Sequence, residues 1–315
     1  MPRVSRGVAE PDLDGILVLA KPAGPTSHDI VALVRRLSGV RRVGHGGTLD
    51  PFAAGVLPVF IGRATRVVEY HLTDEKAYRA VVAFGARSTT DDLEGELTPG
   101  DSPVPSREAV EAALEPFRGT IEQVPPDYSA VRVAGRRAYE LARHGKKPEL
   151  RSRQVEIRSL TLAAWDGADP ERPTATLEIR CSAGTYIRAI ARDLGQAIGS
   201  GAFLVALTRT ASGPFTIERA RSLDQLRDAA TAGRLKALLL PTDSGLDAIP
   251  RVRLGAEDLA ALARGQVVRV RDASLLEGAA EGLLRVTDGG GRLAAMARLE
   301  SGRLFPEKVF VGPAA

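Results

Sequence analysis

The stretch of this 315-residue chain most able to do chemistry is Gly44-His45-Gly46-Gly47-Thr48-Leu49-Asp50-Pro51, set between an arginine-rich run and a strongly apolar segment. Gly46 and Gly47 can take backbone angles closed to other residues and admit another chain at close range. Pro51 drives Asp50 out of the helical region toward an extended conformation. Together they hold one carboxylate at a defined angle beside an open backbone, where it could act as a nucleophile or a base. The same residues also describe a plain surface turn punctuated by Asp-Pro. Their glycine spacing matches neither glycine-rich phosphate loop.

Composition narrows the chemistry further. Cys181 is the single cysteine, which rules out an intrachain disulfide and thiolate metal clusters. His28, His45, His71 and His144 lie far apart without ligand spacing, so the sequence predicts no metal site. Residues 1–14 are polar, the apolar run after them is six residues long, and no apolar segment reaches membrane-spanning length. The expectation is a cytoplasmic protein with no membrane contact. Net charge is +4, unevenly placed. Arg132, Arg136, Arg137, Arg143, Lys146, Lys147, Arg151 and Arg153 face only Glu140 and Glu149, a local balance of +6 that leaves the rest of the chain at −2. A second cationic knot, Arg35, Arg36, Arg41 and Arg42, runs straight into the glycine loop. Two such surfaces fit a polyanion such as nucleic acid, although each run also reads as a solvated helix face.

The elements around the loop follow from periodicity. GILVLAKP (15–22), GVLPVFIG (55–62), KAYRAVVAFG (76–85), VEIRSLTLAAW (155–165), TATLEIRC (174–181) and AFLVALTRT read as strands. PTSHDIVALVRRL reads as a helix capped by Ser27, with Ile30, Leu33, Val34 and Leu37 on one face. GTYIRAIARDLGQAIG reads as a helix capped by Thr185, with Ile187, Ile190, Ala191, Leu194 and Ile198 as its apolar stripe. Glu108 to Phe117 reads as an amphipathic helix, and a short helix covers Arg136 to Arg143. Without regular βαβ alternation, the mixture predicts an α+β fold with a largely antiparallel sheet flanked by helices. From Leu239 to Pro250 the texture becomes a Pro- and Gly-punctuated connector. A helix (Ala256 to Arg264) and the strands QVVRV, GLLRVTD, RLAAMARL and KVFVG follow, with an Asp288-Gly289 turn, which predicts a small β-barrel-like unit.

GHGGTLDPFAAGVLPV, with KPAGPTSHD, KAYRA, STTDDLEG, PPDYSAVRVAGRRAYELAR, RCSAGTYIRAIARDLG and GAFLVALTR, resembles the TruB family of tRNA pseudouridine synthases over nearly the whole chain. Arg132 stands where that family usually has lysine, and Gly46 where threonine is commoner. The resemblance implies a catalytic domain over 1–247, with a basic RNA-binding insertion at about 125–153, and a PUA-like RNA-binding domain over 248–315. It implies isomerisation of uridine 55 in the T loop of tRNA; that chemistry requires no cofactor or metal, and nothing in the sequence demands a protein partner or more than a monomer. Asp50 is then the catalytic carboxylate, Arg188 its ion-pair partner, and Tyr78 the residue that stacks on the uracil or assists proton transfer. His45, Lys21, Leu207 and Asp92 match substrate-binding positions. Arg132, Arg136, Arg137, Arg143, Lys146 and Lys147 would neutralise phosphates of the T arm.

Bland readings remain for each of these residues. Arg188 reads equally as a charge on an amphipathic helix, Tyr78 as half-buried strand core, and His45 as polar surface. Leu207 fits strand packing and Asp92 a turn. A non-catalytic RNA-binding or folding protein would share the basic patches but has no need of Asp50 and Arg188. A guide-dependent synthase would need partners and guide RNA, and a small-molecule lyase finds no phosphate loop or metal site.

Overall fold

The computed structural model describes residues 13–129, 131–133, 135–145, 147–270 and 281–311, apart from the side chains of Arg137 and Arg143. The first strand, β1 (Gly15–Lys21), leads into helix α1 (Ser27–Ser38), which buries Ile30, Val31 and Val34. Thr26, and not Ser27, caps this helix: its hydroxyl accepts from Asp29 N at 3.1 Å while Asp29 Oδ2 accepts from Thr26 N at 2.9 Å. A reciprocal box of this kind satisfies two orphan donors and is worth about 1 kcal/mol. Short β2 (Val43–His45), then β3 (Ala54–Ile61), bracket the glycine loop, and one turn of helix, α2 (Val68–His71), precedes β4 (Lys76–Phe84). Strand β4 alternates cleanly, with Lys76, Tyr78, Ala80 and Val82 turned to the buried face and Arg79 exposed.

A small ribbon, β5 (Ala86–Ser88) with β6 (Leu97–Pro99), comes next, followed by α3 (Arg107–Ala113). The helix expected to reach Phe117 ends at Ala113, because Pro116 cannot continue it, and a 3-10 turn covers Glu115–Phe117. Strand β7 (Gly119–Gln123) follows. The hairpin of β8 (Arg132–Val133) and β9 (Arg136–Arg137) precedes α4 (Ala138–Arg143), so the basic segment begins as a ribbon and only then becomes helical. Long β10 (Arg153–Asp166), β11 (Thr174–Cys181), helix α5 (Ile187–Ile198), β12 (Ala202–Ser212) and β13 (Phe215–Thr216) complete the sheet, with α6 (Leu223–Thr231) beyond.

The strands run β1-β3-β12-β4-β11-β10-β7, with β2 on β3 and β13 on β12. Every neighbouring pair is antiparallel except β3 with β12. That parallel crossing brings Arg209 of β12 against Gly55 of β3. Gly55 has φ +109°, and a Cβ there would meet the Arg209 carbonyl oxygen at 2.2 Å, so only glycine fits. Two irregularities in β12, between Leu204 and Ala206 and between Arg209 and Ala211, adjust its pairing with β4. As a result Leu204, Leu207 and Arg209 stand opposite Val82, Ala80 and Tyr78, on one face despite their uneven spacing.

A second sheet occupies the C-terminal part. It comprises β14 (Arg251–Arg253), β15 (Val268–Arg269), β16 (Gly282–Thr287), β17 (Leu293–Glu300) and β18 (Arg303–Val309) in the order β14-β16-β17-β18-β15, with α7 (Ala256–Ala263) against it. The last strand begins earlier than KVFVG alone predicts, because the antiparallel register with β17 runs from Arg303 to Val309. Leu293, Met296 and Phe310 join Ile16, Val56 and Phe60 in one apolar cluster. Arg63 Nη1 donates to Phe310 O at 2.7 Å, and Lys308 Nζ to Arg66 O at 2.7 Å. The architecture is α+β with a largely antiparallel main sheet and a curled C-terminal sheet. Among the described residues, no helix is long and apolar enough to cross a membrane.

Candidate active site

Each backbone segment of the glycine loop has its own fastening. Gly46 N donates to Pro58 O at 2.9 Å, and Arg209 donates to the carbonyls of Gly47 (3.1 Å) and Thr48 (3.3 Å). Ser27 Oγ, fully buried, accepts from Leu49 N at 2.9 Å and lies 3.2 Å from Leu49 O. Because Thr26 takes over the capping of α1, the Ser27 hydroxyl is free for this clamp. Pro51 O receives Gly24 N at 2.8 Å and Lys21 Nζ at 3.2 Å. The Asp50 side chain is thus presented by a backbone fixed on both sides, without its own carboxylate being used for that purpose.

Lys21, expected at a substrate-binding position, lies beneath the loop. It is only 1% exposed, and its ammonium donates to Pro22 O (2.9 Å), Pro25 O (2.8 Å) and Pro51 O. An ammonium has three donors, and all are committed to carbonyls beneath the loop. Burial pulls its pKa down to about 8, against the opposing pull of Asp50. Replacing it, Lys21→Met, takes this donor from the carbonyls of Pro22 and Pro25, while Pro51 O keeps Gly24 N. The expected result is a loss of about 2 kcal/mol in denaturant unfolding.

Arg188 lies in the first turn of α5 and is 5% exposed. Its Nε stands 3.0 Å from Asp50 Oδ2, although the N–H is not aimed at that oxygen, so the contact is Coulombic rather than a well-aligned hydrogen bond. Nη1 donates to Thr90 O at 3.0 Å and lies 3.3 Å from Asp92 Oδ2, and Nη2 donates to Tyr128 O at 2.8 Å. Asp92 is buried. Its Oδ1 accepts from Thr90 Oγ1 (2.5 Å) and Glu94 N (3.1 Å), so the turn-forming carboxylate also braces the arginine. Thr185 does not cap α5. Its hydroxyl donates to Ser182 O at 2.9 Å, and buried Gln123 grips Tyr186 instead, accepting from its N at 2.8 Å and donating to its O at 3.1 Å.

Asp50 and Arg188 belong to the walls of two adjoining cavities. The inner one, about 290 Å³, is lined by Tyr78, Leu207, Arg209, Lys76 and the segment 183–188. The outer one, about 450 Å³, is lined by Thr26, His28, Asp92, Tyr128, Arg132 and Tyr139 among others. Loss of water around Asp50 pushes its carboxyl above the usual range; Arg188 opposes this, and Asp92 adds to it. The Asp50 side chain keeps 36% exposure toward the cavities, so solvent screens these effects. Burial also raises the Tyr78 phenol, with Arg209 pulling the other way.

The structure therefore brings Asp50, Arg188, Tyr78, Leu207 and Asp92 around one site. His45 lies outside both cavity walls: its Nδ1 accepts from Gly47 N at 3.3 Å, and its ring meets His28 edge-on at 5.6 Å. Of the basic segment, Arg132 reaches the outer cavity, while Arg136 and Lys147 are exposed. Lys146 and the side chains of Arg137 and Arg143 lie outside the described residues. Sequence reasoning missed Arg209, Ser27, Gln123 and Lys76. A buried-face position in a strand was the available sign for Lys76 alone, since the partners of the others are 22 to 162 residues away. Among the described residues, no group of three or more His, Cys, Asp or Glu side chains could hold a metal ion.

A solved structure of an H/ACA RNP bound to a substrate RNA containing 2′-deoxyuridine superposes with a TM-score of 0.70 at 26% identity, covering 95% of this chain and 86% of that one. With the paired carboxylate and arginine on the cavity wall, this defines the fold as that of the pseudouridine synthases. A model of the TruB family pseudouridylate synthase N-terminal domain matches residues 35–187, and one of the tRNA pseudouridylate synthase B C-terminal domain matches 188–247. The tRNA pseudouridine synthase B of Bradyrhizobium diazoefficiens is 43% identical over 306 residues, 95% of this chain and 86% of the relative. That of Synechococcus elongatus is 44% identical over 299 residues, 94% and 98% of the two chains. The chain belongs to the TruB family of pseudouridine synthases.

Proposed function

We propose that this protein converts uridine to pseudouridine at position 55, in the T loop of tRNA. The observation that carries the reading is the Asp50–Arg188 pair on an open cavity, in a chain whose relatives bear the name tRNA pseudouridine synthase B. The reaction breaks the bond from C1′ to N1, turns the uracil and rejoins it through C5, with no redox change and no group lost. Asp50 starts the cleavage as nucleophile or base. Arg188 favours its ionised form against desolvation. Tyr78 and Leu207 form the walls against the flipped base, with the phenol available to help remove the C5 proton. Lys21 acts beneath the loop, and Asp92 acts through Arg188. His45, beside the loop, fills space next to the displaced nucleotide.

The basic insertion at about 125–153 and a PUA-like unit over 248–315 would supply backbone contacts, on a catalytic body spanning 1–247. The protein would work as a cytoplasmic monomer without cofactor or obligatory protein partner. Six cations on phosphates would give a slope of about −4 to −5 for log affinity against log salt. A titration of T-arm binding between low and moderate salt measures it, and a flat response would show that these cations do not face the RNA.

The direct test is tritium release from a T-arm stem-loop carrying [5-³H]uridine at position 55. Release at that position, and none when the label sits only elsewhere in the stem-loop, is the expected result. RNA binding without release would leave a tRNA-binding or folding role on the same scaffold.

A further inference from the structure

Three cations line the inner cavity beside Asp50, and two of them have committed their donors. Arg209 gives Nε to Val56 O at 2.8 Å and both terminal nitrogens to the glycine loop. Arg188 gives both terminal nitrogens to the carbonyls of Thr90 and Tyr128, and its charge is compensated by the carboxylates of Asp50 and Asp92, with Nε facing Asp50 without an aligned hydrogen bond. Lys76 is different. It is 6% exposed, yet its single hydrogen bond among the described residues is a 3.4 Å contact with His71 O, at the outer limit for such a bond. An ammonium carries three donors, so two remain unspent in a wall that opens onto the cavity. Strand alternation puts Lys76 on the same face as Tyr78, two residues away.

The charged and titratable groups around Lys76 do not account for its position. Across the sheet, β11 contributes the Cys181 thiol and β12 contributes Ser212 and, nearby, Arg209. On the turn before β4, Asp74 accepts His71 Nδ1 at 3.0 Å and makes no ion pair with Lys76 within 4 Å. Burial holds the Lys76 pKa down to about 8, with Asp74 and Cys181 raising it and Arg209 lowering it. A buried ammonium with idle donors is a cost that a packing residue such as methionine would avoid.

We infer that Lys76 is a further catalytic residue: its ammonium donates to a carbonyl oxygen of the flipped uracil and holds the negative charge the ring takes when the C1′–N1 bond breaks. This rests on the proposed isomerisation. The electron pair of that bond leaves with N1 and spreads onto O2 and O4, whether Asp50 bonds to C1′, a bond that breaks again when C5 takes its place, or removes a sugar proton that it returns when C5 adds. Lys76 keeps its own protons throughout. The pair then forms the C1′–C5 bond, which makes the ring neutral again; the C5 hydrogen leaves as a proton and N1 takes one up. Preorganised charge placed where charge develops acts on the transition state more than on binding.

The test is single-turnover tritium release by full-length K76M and K76R at saturating enzyme, with stem-loop affinity and thermal unfolding measured alongside. K76M is expected to slow release by about 10²-fold, with affinity within about 2-fold and no loss of thermal stability. K76R is expected to recover most of the rate at pH 7. The wild-type rate should fall as pH rises through about 8, where Lys76 gives up its proton, and K76R should lack that fall. A wild-type rate in K76M, a rate loss matched by lost stability or affinity, or the same alkaline fall in K76R would each overturn the assignment. If the wild-type protein itself releases no tritium, the isomerisation proposal fails; a working wild type beside an unimpaired K76M refutes only the role of Lys76.

Discussion

Asp50→Asn is expected to abolish tritium release, by about 10⁴-fold or more, with the fold and RNA affinity retained. The geometry separates these outcomes. The loop backbone is held by Pro58, Arg209, Ser27, Gly24 and Lys21, none of which uses the Asp50 carboxylate. Asparagine has nearly the same shape, so those fastenings survive. The amide can neither ionise nor attack, and it cannot serve as a base. Arg188 keeps Asp92 and its two carbonyl partners, so its charge remains compensated. The exposed cations of the 132–147 segment are untouched, and the T-arm affinity should be unchanged within about 2-fold. Measurable turnover by Asp50→Asn, confirmed by mass analysis to retain the amide, would remove Asp50 from the chemistry.

Arg188→Met carries the second largest expected effect, a loss of about 10²- to 10³-fold in single-turnover rate. It removes the group that opposes desolvation at Asp50, so the carboxyl pKa rises further. The active form is the anion. Activity therefore falls with acid through the folded-state pKa, and in Arg188→Met that acid limb moves to higher pH. The substitution also leaves buried Asp92 facing Asp50 with no cation between them, which destabilises the fold by about 3 kcal/mol. Arg188→Lys restores the charge without the planar fork that reaches Thr90, Tyr128 and both carboxylates. Its acid limb should return toward the wild type while the rate recovers only in part. An acid limb that stays put in Arg188→Met would show that another cation governs Asp50.

Much of the frame could be read from residue order alone. The alternation of KAYRAVVAF and the apolar stripe of IRAIARDLGQAI are local properties, and both elements form where those periods place them. The resemblance of the glycine loop and of GTYIR to a known family pointed to Asp50 and Arg188, which come together at 3.0 Å although 138 positions separate them in the chain. Local reasoning failed where a side chain had two candidate partners. Ser27 and Thr26 are both capping types; only the packing of α1 against the loop sends Ser27 to Leu49. Thr185 is likewise a capping type, but β7 brings Gln123 to the Tyr186 backbone first.

The tertiary structure alone decided the remaining roles. Arg209 faces the cavity because irregular pairing of β12 with β4 brings it onto the face of Tyr78, a shift no alternation rule foresees. Its hold on Gly47 and Thr48 depends on the parallel crossing of β12 over Gly55, set by strand order. Lys21 reads as a cation near the site until its ammonium is found spent on three carbonyls. Lys76 is only the first residue of the strand KAYRAVVAFG in the sequence; the fold places it in the cavity wall with donors to spare. Sequence spacing determines the period of an element and the backbone angles open to a loop. Which donor meets which acceptor depends on strand order and register, because those bring together residues that the chain itself keeps far apart.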